Sequence, residues 1–260
     1  MRCLLLLLVL APFIALTADS PAAEKDSRVY EMRVYYAAPG KLEALNARFN
    51  NHTMKLFEKH GLSNVGYFVP ADNKDNKLVY FISAPSKEAL DKSWKEFIAD
   101  PDWKKAYAES EKDGTLVKKV ESTYLALTDY SPALKIEKGK DDRVFELRTY
   151  IATKGNLGNL NDRFKDHTIK LFEKYGMTNI AYWNLLKGQK ADKGEDTKLI
   201  YLLAHKSQEA AKKSFDEFRL DPDWVAARKA SEEKGGGSLT EAKGGVVSEF
   251  LVPTDYSPLK

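Results

Sequence analysis

The chain has 260 residues, 43% of them hydrophobic and 30% charged, with a formal net charge of +3 at pH 7. That is the composition of a water-soluble globular protein, and it excludes a disordered or low-complexity chain. Lysines are interleaved with acids and form no basic cluster, so no nucleic-acid groove is expected.

The N-terminus reads MRCLLLLLVLAPFIALTADSPAAEKDS. Arg2 gives a short positive start, Leu4 to Leu16 is apolar, and small residues follow through Ala23. This is the pattern of a secretory signal peptide over residues 1–23, cleaved within Thr17–Ala23. The apolar run falls short of the roughly 20 residues that a spanning helix needs, so no membrane association is expected after cleavage. Cys3 is the only cysteine and would leave with the peptide. The mature chain then has no disulfide and no cysteine metal site, and is expected to be secreted or periplasmic.

Arg28–Tyr36 reads as a strand whose alternation puts Tyr30, Met32 and Val34 on an apolar face and Glu31, Arg33 and Tyr35 on the other. Gly40 turns the chain into a helix from Lys41 to Lys59, with Leu42, Leu45, Phe49 and Leu56 on one stripe and Phe57 at its edge. Gly61 ends it as a left-handed cap. Strands follow at Asn64–Val69 and Lys77–Ser83. Ser86 caps a helix through Ile98 that buries Leu90, Trp94 and Phe97. Asp100-Pro101-Asp102-Trp103 breaks that helix and starts a short third one. Val117–Leu127 is the last strand, closed by Thr128-Asp129-Tyr130-Ser131-Pro132.

The same order then repeats. Arg28–Phe68 and Arg143–Trp183 align without a gap at an offset of 115 (143 − 28), with 22 identities in 41 positions. Unrelated segments would share about two or three, so the chain is a duplicated domain. The domains are expected at 28–132 and 143–258, joined by a polar linker at 133–142. Each copy reads β-α-β-β-α-β, the ferredoxin-like order: a four-stranded antiparallel sheet with helices on one face. The fold class is therefore α+β, with two tandem ferredoxin-like domains hiding their bare sheet faces against each other. Glu31, Arg33 and Tyr35 would line that interior, and the barrel would close within one chain with no higher oligomer required. The second copy is longer at Gly188–Thr197 and Gly235–Gly245.

YEMRVYYAAPGKLEALNARF, HTMKLFEKHGLSNVGYF and DPDWKKAY resemble the NIPSNAP domain, as do FELRTY, HTIKLFEKYGMTNIAYW and DPDW in the second copy. The chain is thus similar, twice over, to a secreted bacterial-type member of that family. The resemblance implies the dimeric α+β barrel fold. Mitochondrial members are linked to protein interactions, and the wider barrel superfamily includes small monooxygenases, haem-degrading enzymes and isomerases.

At 100° per residue His52 lies about 50° from the centre of the helix stripe and should be at least half-buried against the sheet; His167 matches it. Either it is a core imidazole bonded to backbone or a strand tyrosine, or it serves a helix–sheet pocket as the catalytic proton acceptor, with Asn46 (Asn161) orienting. Arg33 and Arg148, with Tyr35 and Tyr150, either form ion pairs across the barrel, Glu31 of one half to the arginine of the other, or make a barrel-lining anion site. Arg48 and Arg163 read as helix-flank arginines able to cover a pocket mouth. Trp103 and Trp224 read as anchors of the short helix or as ligand-stacking platforms. No two histidines are spaced to share a metal, and there is no phosphate loop or dinucleotide fingerprint. The sequence names no cofactor. The expected function is binding of a small organic ligand or a protein partner; the alternative is a cofactor-independent or haem-linked monooxygenase.

Overall fold

Both copies build the same four strands: β1 (Val29–Ala37), β2 (Ser63–Pro70), β3 (Lys77–Ala84) and β4 (Val117–Leu127), then β5 (Val144–Ile151), β6 (Thr178–Leu185), β7 (Lys198–His205) and β8 (Val246–Pro253). The computed structural model describes residues 26–137, 143–188 and 197–260. The expected signal peptide lies outside them, as do residues 138–142 of the linker and 189–196 of the longer hairpin.

Within each half the sheet is antiparallel. β1 lies between β3 and β4, and β5 between β7 and β8. The edges then meet their counterparts. β2 pairs with β8 through Phe68↔Pro253, Val69↔Val252 and Pro70↔Leu251, and β4 pairs with β6 through Leu125↔Leu185, Ala126↔Asn184 and Leu127↔Trp183. The result is one closed eight-stranded barrel in the order β1-β3-β2-β8-β5-β7-β6-β4. Closure within the chain satisfies edge backbone groups that either half alone would leave unpaired.

The two faces of β1 are the reverse of the sequence expectation. Tyr30, Met32 and Val34 point into the barrel, where they join Phe68, Phe81, Phe145, Leu147 and Trp183 in a core shared by both halves. Aromatic contacts cross that core: Phe81 stacks on Trp183 at 5.3 Å and Phe68 meets Phe145 at 5.1 Å. Glu31, Arg33 and Tyr35 point outward, under the helices. The reason is solvent access. The barrel interior is walled by sheet on every side and takes the apolar set, whereas the helix–sheet layer has open margins where a charged head reaches water.

In half one the helices are α1 (Leu42–Arg48), α2 (Met54–Lys59), α3 (Lys87–Ala99) and α4 (Pro101–Ser110); in half two they are α5 (Leu157–Arg163), α6 (Ile169–Lys174), α7 (Gln208–Leu220) and α8 (Pro222–Lys234). The helix expected over Lys41–Lys59 is present, but a π-turn at Phe49–Thr53 separates α1 from α2, and Phe164–Thr168 repeats it. There the Met54 amide donates to Phe49 O, five residues back. The Thr53 hydroxyl donates to Arg48 O at 3.2 Å, and Thr168 repeats that bond to Arg163 O at 3.1 Å. A wide turn accommodates an extra residue and shifts the buried stripe. Thr53 therefore goes under the helix and His52 comes out.

Asp100 and Asp221 cap α4 and α8, accepting from the Asp102 and Asp223 amides at 2.7 Å. Each also ties in the end of the first helix of its half. Asp100 takes Lys59 at 2.7 Å and His60 at 2.6 Å, and Asp221 takes Lys174 at 2.5 Å and the Tyr175 hydroxyl at 2.6 Å. These bonds, the lysine first, hold both carboxyls well below the usual range.

The repeated Thr-Asp-Tyr-Ser-Pro motif proves to be a reciprocal latch. Tyr256, at the end of half two, donates to Asn46 Oδ1 of half one at 2.6 Å; Tyr130, at the end of half one, donates to Asn161 Oδ1 of half two at 2.7 Å. The Ser257 hydroxyl accepts the Tyr67 amide at 2.9 Å and that of Ser131 the Tyr182 amide at 3.0 Å, again across the halves.

Two predictions follow from these ties. Tyr130→Phe and Tyr256→Phe each remove a hydrogen bond to a half-buried asparagine oxygen, and each should cost about 1 kcal/mol in denaturant unfolding. The two latches flank different junctions of the barrel, so the double variant should cost the sum; a coupling as large as either single effect would refute independent latches. The two capping aspartates, with depressed folded pKa values, stabilise fully above the ordinary aspartate pKa of about 4 and lose that contribution as pH falls. An Asp100→Asn, Asp221→Asn variant should therefore melt lower at pH 7 and show a shallower loss of Tm between pH 5 and 2 than the parent; parallel Tm–pH curves would count against this.

Candidate functional site

In half one a cavity of about 220 Å³ remains between Tyr35 of β1, the π-turn, α4 and the start of β4. Its wall is aromatic: Tyr35, Phe49, Phe57, Phe97, Trp103 and Tyr107, with Val117 and Val120 at the β4 side. Its polar lining residues are Arg48, Thr53 and Glu111. Arg48, 5% exposed, donates through Nη1 to Glu111 Oε1 at 2.8 Å and to the Ser110 hydroxyl at 3.1 Å. The other Glu111 oxygen accepts the Leu116 amide at 3.0 Å. The Arg48 guanidinium packs over Trp103 at 5.5 Å and Tyr107 at 5.2 Å, while its buried Nε has no partner. Arg48 is thus a buried, ion-paired residue of the cavity wall and not an arginine spread along the helix flank.

The predicted site residues fall in different places. Tyr35 and Trp103 do line the cavity. His52 and His167 are exposed, and the expectation of half-buried imidazoles fails because the π-turn rotates both outward. Asn46 and Asn161 orient no histidine; both accept latch tyrosines, and Asn161 also donates to Asn184 at 3.1 Å. Arg33 and Arg148 form no ion pair across the barrel and no shared anion site, because each lies in its own helix layer. Arg33 bonds Glu31 at 2.8 Å and Arg148 bonds Glu146 at 2.5 Å, each along its own strand, and their Nη2 groups reach Tyr35 and Tyr150 at 3.5 and 3.3 Å. Residues i and i+2 share a strand face, which is why the pair forms locally. Trp224 packs on Phe218 at 4.5 Å, as Trp103 does on Phe97 at 4.4 Å, so both also anchor their helices.

The halves are not chemically equal. In half one the Trp94 indole donates to Glu31 Oε2 at 2.6 Å. In half two Phe215 holds that position and donates nothing; His205, where half one has Ala84, reaches Glu146 Oε2 at 3.0 Å instead. Burial pushes the Glu146 carboxyl up, but the bonds from His205 and Ser248 and the Arg148 charge outweigh it and hold it below its ordinary value. Arg163, the counterpart of Arg48, has no carboxylate partner among the described residues, and burial lowers its pKa. Tyr107 and the Arg48–Glu111 pair escaped the sequence reading. The one available signal was that Arg48 and Thr53 recur in both copies as Arg163 and Thr168.

A closed α+β barrel with helices outside and a pocket between helix and sheet defines the class of the dimeric α+β barrel proteins. The profile of the NIPSNAP family matches residues 30–132 and 145–258, and the chain belongs to that family, with two tandem domains. No curated protein sequence matches. Among solved structures, an anthrone oxidase-like protein is similar over 89% of this chain and 93% of its own, at 16% identity and a TM-score of 0.60. A protein provisionally named a monooxygenase, from Lactobacillus acidophilus NCFM, is similar over 87% and 94%, at 12% identity and a TM-score of 0.54. At those identities the likeness is one of fold.

A haem does not fit this site. The cavity is below the roughly 300–1,000 Å³ of typical ligand pockets, and no imidazole is among its lining residues.

Breaking one partner of a buried ion pair is costlier than removing both. Glu111→Gln should destabilise by roughly 3 kcal/mol, and adding Arg48→Met should recover much of that. Urea unfolding of the single and double variants measures it, and a double variant weaker than the single would contradict the pairing.

Proposed function

We propose that this NIPSNAP protein works outside the cytoplasm as a binding protein, and that its first half holds a compact, flat organic molecule under the first helix. The observation that carries this reading is the partly enclosed aromatic cavity with one buried cation at its wall. An apolar cavity of about 150 Å³ suffices for benzene, so 220 Å³ suits one ring with a small polar substituent. The Arg48 guanidinium at the wall offers that substituent a positive charge. Export is supported by the pattern of residues 1–23, and among the described residues no helix is long and apolar enough to cross a membrane. A cofactor-independent monooxygenase would use the same cavity, but both oxygens of Glu111, the one carboxylate among its lining residues, are already engaged.

p-Cresol is a suitable probe. At ten times its Kd it should stabilise by about 1.4 kcal/mol, a Tm rise of about 3–6 °C for a chain of this size. Val120→Trp, at the half-exposed mouth, should abolish the rise while leaving the unliganded Tm close to that of the parent. An unchanged rise in Val120→Trp, or none in the parent at millimolar p-cresol, would sink the proposal.

A further inference from the structure

The position that forms a partly enclosed pocket in half one is built differently in half two. Trp224, Arg228 and Glu232 there replace Trp103, Tyr107 and Glu111. They wall an open groove of about 530 Å³ that also includes Arg219, Lys229 and the glycine turn after α8. α8 runs to Lys234 where α4 stops at Ser110. Those three extra residues place Glu232 within the helix, where it pairs with Arg228 at 3.0 Å and not with the buried arginine.

Arg163 is left uncompensated. It is 7% exposed, its Nε has no partner, and its one hydrogen bond is a 3.3 Å contact to the Ser231 hydroxyl. No carboxylate lies within ion-pair distance of it among the described residues. A buried guanidinium without a counter-charge is unfavourable unless something else supplies one. The Trp224 ring, part of the groove wall, sits 5.2 Å from Arg163. The Arg228–Glu232 pair, by contrast, is exposed, so exchanging Glu232 for another carboxylate costs little.

We propose that the second half carries its own binding site, for a small aromatic carboxylate. The ring lies against Trp224, and the carboxylate is met by Arg228 and Arg163 in place of Glu232. The groove's other cations, Arg219, Arg228 and Lys229, have their own carboxylates in Asp216, Glu232 and Glu233, so Arg163 is the charge that lacks one. This site does not rest on the pocket of the first half, and the two are read by different tryptophans.

The test uses the full chain labelled with ¹⁵N, whose four tryptophans give four indole N–H resonances, that of Trp224 assigned with Trp224→Phe. 2-Naphthoate is titrated against neutral 2-naphthamide; both are large for the half-one cavity. The expected result is a shift of the Trp224 resonance, with naphthoate binding at least tenfold tighter than naphthamide. Arg163→Gln should weaken naphthoate tenfold or more. Should that variant not fold, Arg228→Gln on the exposed face should weaken it several-fold. Equal affinity for acid and amide, a shift at Trp103 and not at Trp224, or undiminished affinity in the arginine variants would each overturn the proposal.

Discussion

Everything in this molecule depends on the pairing of two sheet edges with two others. A four-stranded ferredoxin-like sheet ends in strands with one row of unbonded amides and carbonyls, and it has one face without helices. Here β2 finds β8 and β4 finds β6, so both problems are solved at once: the edges disappear and the bare faces become an interior. The pairings are short, three residues each, and the latch motifs extend them. Thr254 N donates to Tyr67 O and Thr128 N to Tyr182 O, both at 2.9 Å, which carries the ladder past each strand end and delivers Tyr256 and Tyr130 to the opposite helix.

That closure also sorts the side chains. Once the interior is sealed, a charge placed there would have neither water nor room for a counter-charge. The apolar face of β1 goes inward, and Glu31, Arg33 and Tyr35 are left to the helix layer. A helix laid over charged and phenolic groups cannot pack as tightly as one laid over aliphatic ones. The π-turn accommodates this by sending Thr53, a small residue that satisfies a freed carbonyl by itself, to the crowded position. The cavity of half one lies beside that turn.

Fusion into one chain removes a constraint that a symmetric dimer would impose, since identical subunits must carry identical sites. The two helix layers here have diverged at matching positions. Trp94 and Ala84 become Phe215 and His205, with the carboxylate satisfied in both cases by a different donor. Glu111 closes on Arg48, whereas Glu232 lets Arg163 go. The barrel interior has diverged as well, Phe68 and Phe81 matching Trp183 and Leu202, but there the exchanges answer one another, because the aromatic contacts cross between the halves.

The sequence by itself determined the duplication, the β-α-β-β-α-β order, the helix breaks at Asp100-Pro101 and Asp221-Pro222, and the closure of one barrel within one chain. All of these follow from periodicity and local chemistry, which act over a few residues, or from counting two incomplete sheets. It did not determine which strand face turned inward, where the π-turn fell, or which charge met which. A period of two says that Tyr30 and Glu31 face opposite ways but not which way is in. That choice belongs to the relative dryness of two layers that exist only after folding. Likewise the helical angle that put His52 under the helix assumed an unbroken 3.6-residue period, and the extra residue at Phe49–Thr53 answers to the sheet below it. The partner of Arg48 lies 63 residues away in Glu111 and that of Asn46 lies 210 away in Tyr256. Contacts at that range are set by the tertiary fold, and with them the difference between a partly enclosed aromatic pocket and an open cationic groove.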